Sequence, residues 1–189
     1  MEVVEVNWLE CDHGKLLHLL RESTRLEQWS ILHYRRPTFQ GTENSIDRKA
    51  SLELYKMVSG LPRYNLRCIM TGALRTNSRK NKMCSEEDPC CPNCPGVKED
   101  TEHVFCNCPH YERLRKTEIT DEEWDMLPKC TKLHGLVPLL DAGLPERFQG
   151  EMGRKELGCL IQHNLLDIWD QRMVQAGETG PAPRWEAGN

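Results

Sequence analysis

Residues 84–110 read CSEEDPCCPNCPGVKEDTEHVFCNCPH, and these 27 positions hold six of the ten cysteines and two of the seven histidines of the chain. Cys84, Cys90, Cys91, Cys94, His103, Cys106, Cys108 and His110 are too dense for chance burial of small thiols. Cys91-Pro-Asn-Cys94 has the C-x2-C spacing of a tight turn that aims two sulfurs at one point. A tetrahedral zinc ion needs two further nitrogen or sulfur donors from a following short helix or loop. His103 supplies one, and Cys106 or Cys108 supplies the other. His103 and Cys106 stand at i and i+3, one face of a continuous helix. Cys108 stands at i+5, and it joins only if the helix ends near it, an ending that Pro109 favours. Local geometry leaves this choice open, and Cys90 with Cys94 is a less regular alternative for the first pair. The preferred pattern is Cys91, Cys94, His103 and Cys108, or C-x2-C-x8-H-x4-C, with Cys90 and Cys106 as spectators.

The remainder of the chain explains why such a staple matters. Leu, Ile, Val and Phe make up 40 of 189 residues, about 21%, just above the roughly 20% below which disorder becomes the default. The length suits one domain of ordinary size, or one with flanking arms. Residues 1–13 carry Glu2, Glu5, Glu10 and Asp12 and no lysine or arginine, unlike the basic-then-apolar order of a secretory signal. The expected compartment is therefore intracellular, nuclear or cytoplasmic, where thiols stay reduced and bind metal. No apolar run approaches the roughly 18 residues of a membrane span, so no membrane partner is expected.

Flanking the cluster, apolar periodicity and punctuation predict a mainly α fold. One helix is expected over Leu16–His33, ending before Pro37. A connector follows over Pro37–Asn44. A second helix, capped by Asn44 or Ser45, carries Ile46, Ala50, Leu54, Met57 and Val58 on one face, and Gly60 and Pro62 stop it. A short helix from Leu61 then passes into a polar basic tail ending at Met83. Beyond the cluster, Thr120 and Glu123 have the spacing of a capping box, and Pro128 closes that helix. Residues 128–150 read as loop. Leu157, Leu160, Ile161, Leu165, Ile168, Trp169 and Met173 mark an amphipathic helix, and residues 177–189 read as a disordered tail. The organisation predicted is an N-terminal helical region (1–60), a basic helix with the zinc segment (61–115), a C-terminal helical region (116–176) and the tail. Cys11, Cys68, Cys130 and Cys159 read as buried small hydrophobes, and His110 and His134 lack any evident partner.

Charge is unevenly distributed. The formal net charge is only −4. Residues 54–85, however, contain no acid and seven bases, namely Lys56, Arg63, Arg67, Arg75, Arg79, Lys80 and Lys82. Everything else is acidic. Such a block suits phosphate contact or, equally, an ion-paired helix face.

Taken together, Cys91-Pro-Asn-Cys94, Glu99-Asp-Thr-Glu-His103, Cys108-Pro109 and the basic stretch from Leu66 through Arg75 to Lys82 resemble the zinc-binding segment of non-LTR retrotransposon proteins. That segment lies downstream of the reverse transcriptase and often of a ribonuclease H region. The resemblance spans residues 61–115, under a third of the chain. It implies that Cys108, the cysteine before proline, completes the ligand set with Cys91, Cys94 and His103, and that one structural Zn2+ is bound. It further implies RNA or DNA as partner, met by Arg67, Arg75, Arg79, Lys80 and Lys82, and a missing upstream reverse transcriptase or ribonuclease H region. The alternative from another class is a zinc-stabilised protein interaction module. No Tyr-x-Asp-Asp or adjacent aspartate pair is present to hold catalytic magnesium, so neither enzyme activity nor a small-molecule substrate is expected.

Overall fold

The computed structural model describes residues 12–115 and 118–178. The fold is mainly α, with one two-stranded sheet among the described residues. Eight α-helices are used here as landmarks: α1 (His13–Arg35), α2 (Arg48–Met57), α3 (Gly60–Met70), α4 (Asn77–Met83), α5 (Glu112–Arg115), α6 (Asp121–Met126), α7 (Lys129–His134) and α8 (Gly150–Gln175). The sheet pairs β1 (Cys90–Cys91) with β2 (Cys94–Lys98), antiparallel, inside the cysteine cluster.

The core is organised around α8. Leu157, Ile161, Leu165, Ile168 and Trp169 of this helix meet Ala50 and Leu54 of α2, Leu66 and Ile69 of α3, and Val104 and Phe105 of the cysteine segment. Helix α2 lies so close to α8 that a Cβ at Gly158 would sit 2.4 Å from the Ala50 carbonyl oxygen. That approach is possible only for glycine. Polar groups are buried with the apolar ones, and some of them are bonded at long range, although Gln162 Oε1 and Asn164 Nδ2 have no partner among the described residues. Gln162 Nε2 donates to the carbonyls of Ser51 and Gly135 at 2.8 and 2.9 Å, and Ser51 Oγ accepts from Val137 N–H at 2.9 Å. The helix is thus buried on more than one side, and its apolar stripe is core. The expected start near Leu157 falls short by two turns, because Gly150 and Gly153 hide the helical pattern.

Four further expectations are corrected. The cap of α2 is Asp47, whose carboxylate accepts from Ala50 N–H at 3.0 Å, because Ser45 takes a left-handed φ of 77° and Ile46 bridges to Pro138. Pro62 is not a stop but lies in the first turn of α3, where its missing N–H has no helical partner to lose. Pro128 closes α6 but also opens α7, so the presumed loop contains a helix with four buried residues, ending in Gly135 at φ 62°. The basic tail before Met83 is likewise helical, as α4. The capping box of Thr120 and Glu123 is present in both directions. Gly177 and Glu178 are described, but the predicted tail from residue 179 on, and Cys11, lie outside the described residues.

His134, without an evident partner in the sequence, is buried under this second layer. Its Nδ1 lies 2.8 Å from the Ile69 carbonyl oxygen, and its ring stacks on Phe39 with centroids 4.0 Å apart. Burial, only partly offset by that hydrogen bond, pushes its pKa down to about 4. The folded protein therefore holds the ring neutral where the unfolded chain, with a pKa near 6.5, would take up a proton. Stability is complete above pH 6.5 and falls as pH drops toward 4, by about 3 kcal/mol at most. Urea unfolding at pH 7 and pH 5 is expected to show a smaller acid loss in His134→Phe than in the parent chain.

Candidate metal centre

Four side chains converge behind the sheet. Ligand atoms of Cys91, Cys94, His103 and Cys108 all lie within 4.8 Å of one another. They reach that point by two local devices. The first is the hairpin of β1 and β2, in which Cys91 faces Cys94 across the turn. Cys90 is not part of the group: the pairing register breaks between it and Cys91, and its N–H donates to Asp88 Oδ1 at 2.9 Å. The second is a π-turn over His103–Asn107. Its bond runs from Cys108 N–H to the His103 carbonyl at 2.6 Å, an i to i+5 closure. A wider turn brings positions five apart onto one side, so Cys108 joins His103. Cys106 points elsewhere. It lines a cleft of 540 Å³ with Trp124, Lys129 and Lys132, and burial pushes its thiol up to about 11. Backbone geometry therefore brings Cys108, and not Cys106, into the group.

The arrangement suits a tetrahedral ion. Metal–sulfur bonds of about 2.3 Å in tetrahedral geometry place sulfurs about 3.8 Å apart; Cys94 Sγ and Cys108 Sγ are 3.7 Å apart. His103 Nε2 is buried and has no hydrogen-bond partner among the described residues; His134 Nε2 is in the same state, but only the His103 ring lies beside three cysteines as a possible ligand. Burial raises the thiol of Cys91, and it raises that of Cys108 to about 12 with help from the neighbouring Cys94 and Cys91. Thiolates here need a cation. The backbone N–H groups of Asn93 and Cys94 bond Cys91, and that of His110 bonds Cys108, each favouring the ionised sulfur. Arg115, itself buried, donates to the Cys108 carbonyl at 2.8 Å and offsets the net negative charge that three thiolates leave on a divalent ion. The group could hold a metal ion.

Outer groups fix the centre to the body. Asn93 Nδ2 donates to Tyr111 Oη at 3.0 Å and to Gln175 Oε1 at 2.8 Å, while Tyr111 Oη donates to Gln175 at 2.9 Å. Gln175 Nε2 lies 2.5 Å from His110 Nε2, giving that histidine a partner the sequence did not reveal. A deeper tie joins Glu99, just past β2, to Arg172 of α8, both fully buried, at 2.8 Å. Arg172 also donates to Asn77 Oδ1 at 2.7 Å and to Glu178 at 2.9 Å, and Glu99 Oε1 accepts from Asn77 N–H at 2.7 Å at the start of α4. No periodicity marks Glu99 or Arg172. The only local hint is a charged residue in an otherwise apolar helical face.

The five bases named for phosphate contact are not gathered at the centre. Arg67 is exposed on α3 with its guanidinium over the Tyr64 ring at 5.8 Å. Arg75 is exposed in the link to α4, and Arg79 and Lys82 are exposed on α4. Arg79 donates to the Gly72 carbonyl at 2.9 Å. Lys80 is half-buried and paired with Glu178. Among the described residues no helix is long and apolar enough to cross a membrane. Of the isolated cysteines, Cys130 is buried and Cys68 and Cys159 are partly buried. In comparisons with protein-family models, with curated proteins and with solved structures, no match to this chain was found.

Proposed function

We propose that this chain is a zinc-binding, nucleic-acid-binding module, of the kind found in the C-terminal zinc-binding segment of non-LTR retrotransposon reverse transcriptases, and that it lacks polymerase activity. The observation that carries the reading is the four-residue Cys/His group closed by the hairpin and the π-turn. Three thiolates and one imidazole form a soft, tetrahedral donor set, which selects zinc over magnesium or calcium. Four protein ligands leave no position for a reacting water, so the ion's role is structural. It supplies cross-linking of the hairpin to the π-turn. Arg67, Arg75, Arg79 and Lys82, exposed on α3, α4 and the link between them, then offer cations to a phosphate backbone.

Lys80 is set apart from that group by its pairing with Glu178. The same pairing favours the second reading, a zinc-stabilised protein interaction module whose basic helix is matched to acidic groups. The two separate in one experiment. Binding of single- and double-stranded RNA and DNA is titrated across salt with the zinc-loaded chain and with Arg75→Glu/Arg79→Glu/Lys82→Glu. Under the nucleic-acid reading, the variant keeps its zinc and its melting temperature, while the slope of log K against log salt shrinks by roughly 2–3. An unchanged slope, or no binding by the parent chain at low salt, removes that reading and leaves the protein-interaction one.

A further inference from the structure

Helix α1 runs for 23 residues, yet none of its described side chains is buried. It is anchored at its C-terminal end, where Trp29 and Leu32 pack on Phe39 and Ile46 and where Thr42 Oγ1 donates to the Trp29 carbonyl at 3.4 Å. A lone helix of this length is marginal in water, and helices owe their persistence to packing of one face. One face of α1 is set up for such packing. Leu17, Leu20, Thr24, Glu27, Ile31 and Tyr34 follow a strict alternation of three and four residues, the spacing of a coiled-coil seam, and all six are exposed. Exposure is 40% for Leu17, 54% for Leu20, 42% for Ile31 and 80% for Tyr34. A shallow groove on this side is lined only by residues of α1 itself, so no other described part of the body covers it.

The stripe carries information about its occupant. Read from either end it runs two apolar, two polar, two apolar. That order is what a two-fold contact requires, since each patch must complement itself. In an antiparallel pair centred between Thr24 and Glu27, Leu17 meets Tyr34 of the second copy, Leu20 meets Ile31, and Thr24 meets Glu27. Charge chooses the same orientation. A parallel pair would set the two Glu27 carboxylates against each other. The antiparallel pair instead brings Glu27 within one turn of Arg21 of the second copy, and Arg21 lines the same groove as Leu17 and Leu20. Neither Glu27 nor Arg21 is shown in an ion pair within the described residues, whereas Arg25 is already matched to Glu22 on its own helix.

We propose that α1 is a homodimerisation helix that pairs antiparallel with α1 of a second copy through Leu17, Leu20, Thr24, Glu27, Ile31 and Tyr34. The seam spans about 26 Å at 1.5 Å per residue, a small contact, so association is expected in the micromolar range. This inference does not depend on what the metal centre binds.

Sedimentation velocity of the full zinc-loaded chain across concentration tests it. The parent chain is expected to pass from monomer to dimer, and Leu20→Glu and Ile31→Lys are each expected to weaken the dimer at least about thirtyfold, the cost of placing a charge in an apolar layer. Each variant should melt as the monomeric parent does, because the stripe packs on nothing among the described residues. Equimolar mixing of the two variants should restore a dimer, since the antiparallel register sets the carboxylate introduced by Leu20→Glu in one chain against the ammonium introduced by Ile31→Lys in the other. A parent chain that stays monomeric overturns the proposal. So does a dimer indifferent to Leu20→Glu, a mixture that stays monomeric, or a variant whose monomer melts lower because the stripe covers its own chain.

Discussion

Removal of an ion from the group, by chelation or by Cys108→Ser, is expected to lower the melting temperature by at least about 20 °C and to release residues 90–111 first. The size follows from two comparisons. Structural zinc in small modules is worth about 10–16 kcal/mol of apparent binding free energy, while whole domains of this length are stable by only about 5–15 kcal/mol. The centre is also part of the core, because Cys91 and Cys108 are buried in the same cluster as Phe105 and Trp169. Emptying it leaves His103 Nε2 buried without a partner and the thiols of Cys91 and Cys108 facing one another in place of an ion. Native mass spectrometry paired with thermal melts provides the check. Cys108→Ser and Cys91→Ser should lose the metal and melt early, whereas Cys106→Ser should keep one ion per chain and melt within a few degrees of the parent. A parent chain whose melt is indifferent to chelator would show that the four residues hold no ion.

The second large effect belongs to the tie between Glu99 and Arg172. Glu99→Ala is expected to cost about 3–5 kcal/mol, because it removes the fully buried carboxylate facing a guanidinium that has no exposure to solvent and leaves only the partly exposed Glu178 to offset that charge. The loss extends beyond one pair. Glu99 also receives Asn77 N–H at the start of α4, and its own carbonyl accepts Ser78 N–H at 3.0 Å, so α4 should loosen with it. The double replacement Glu99→Leu/Arg172→Met removes both charges and fills similar volume, and it should recover much of the loss. Chemical denaturation of the parent chain and the two variants would show this ordering. Equal destabilisation by the single and double replacements would mean that the hydrogen bonds to Asn77 and Glu178, rather than the buried charge, dominate.

What could be read in advance was local. The C-x2-C turn, the capping box of Thr120 and the Ala50 and Leu54 part of the α2 face depend on neighbours within a few residues, and sequence spacing records them directly, whereas Met57, expected on that face, is exposed and Ile46 and Val58 fall outside the helix. The pairing of His103 with Cys108 sat at the edge of this range. A spacing of five fits neither face of an α-helix, and only the π-turn makes it productive. Features joined at long range left little trace. Helix α7 was hidden because Pro128 serves as both an ending and a cap. The first turns of α8 were hidden because Gly153 and Gly158 are demanded by close neighbours, in spite of their poor helix propensity. Glu99 and Arg172 stand 73 residues apart, and nothing in either local sequence announces the other. Lys80 was grouped with the exposed bases for the same reason, since its partner Glu178 lies 98 residues away.

The arrangement of near and distant ties also sets an order in time. The four candidate ligands all lie within residues 91–108, a short loop whose ends meet quickly. Helix α8 must instead find α2 and Glu99 across long stretches of chain, and such non-local docking is slow. During synthesis the ligands emerge well before α8 does. A nucleus closed by these four residues would therefore stand ready, with Glu99 at its edge, as the receptor on which the last helix completes the fold.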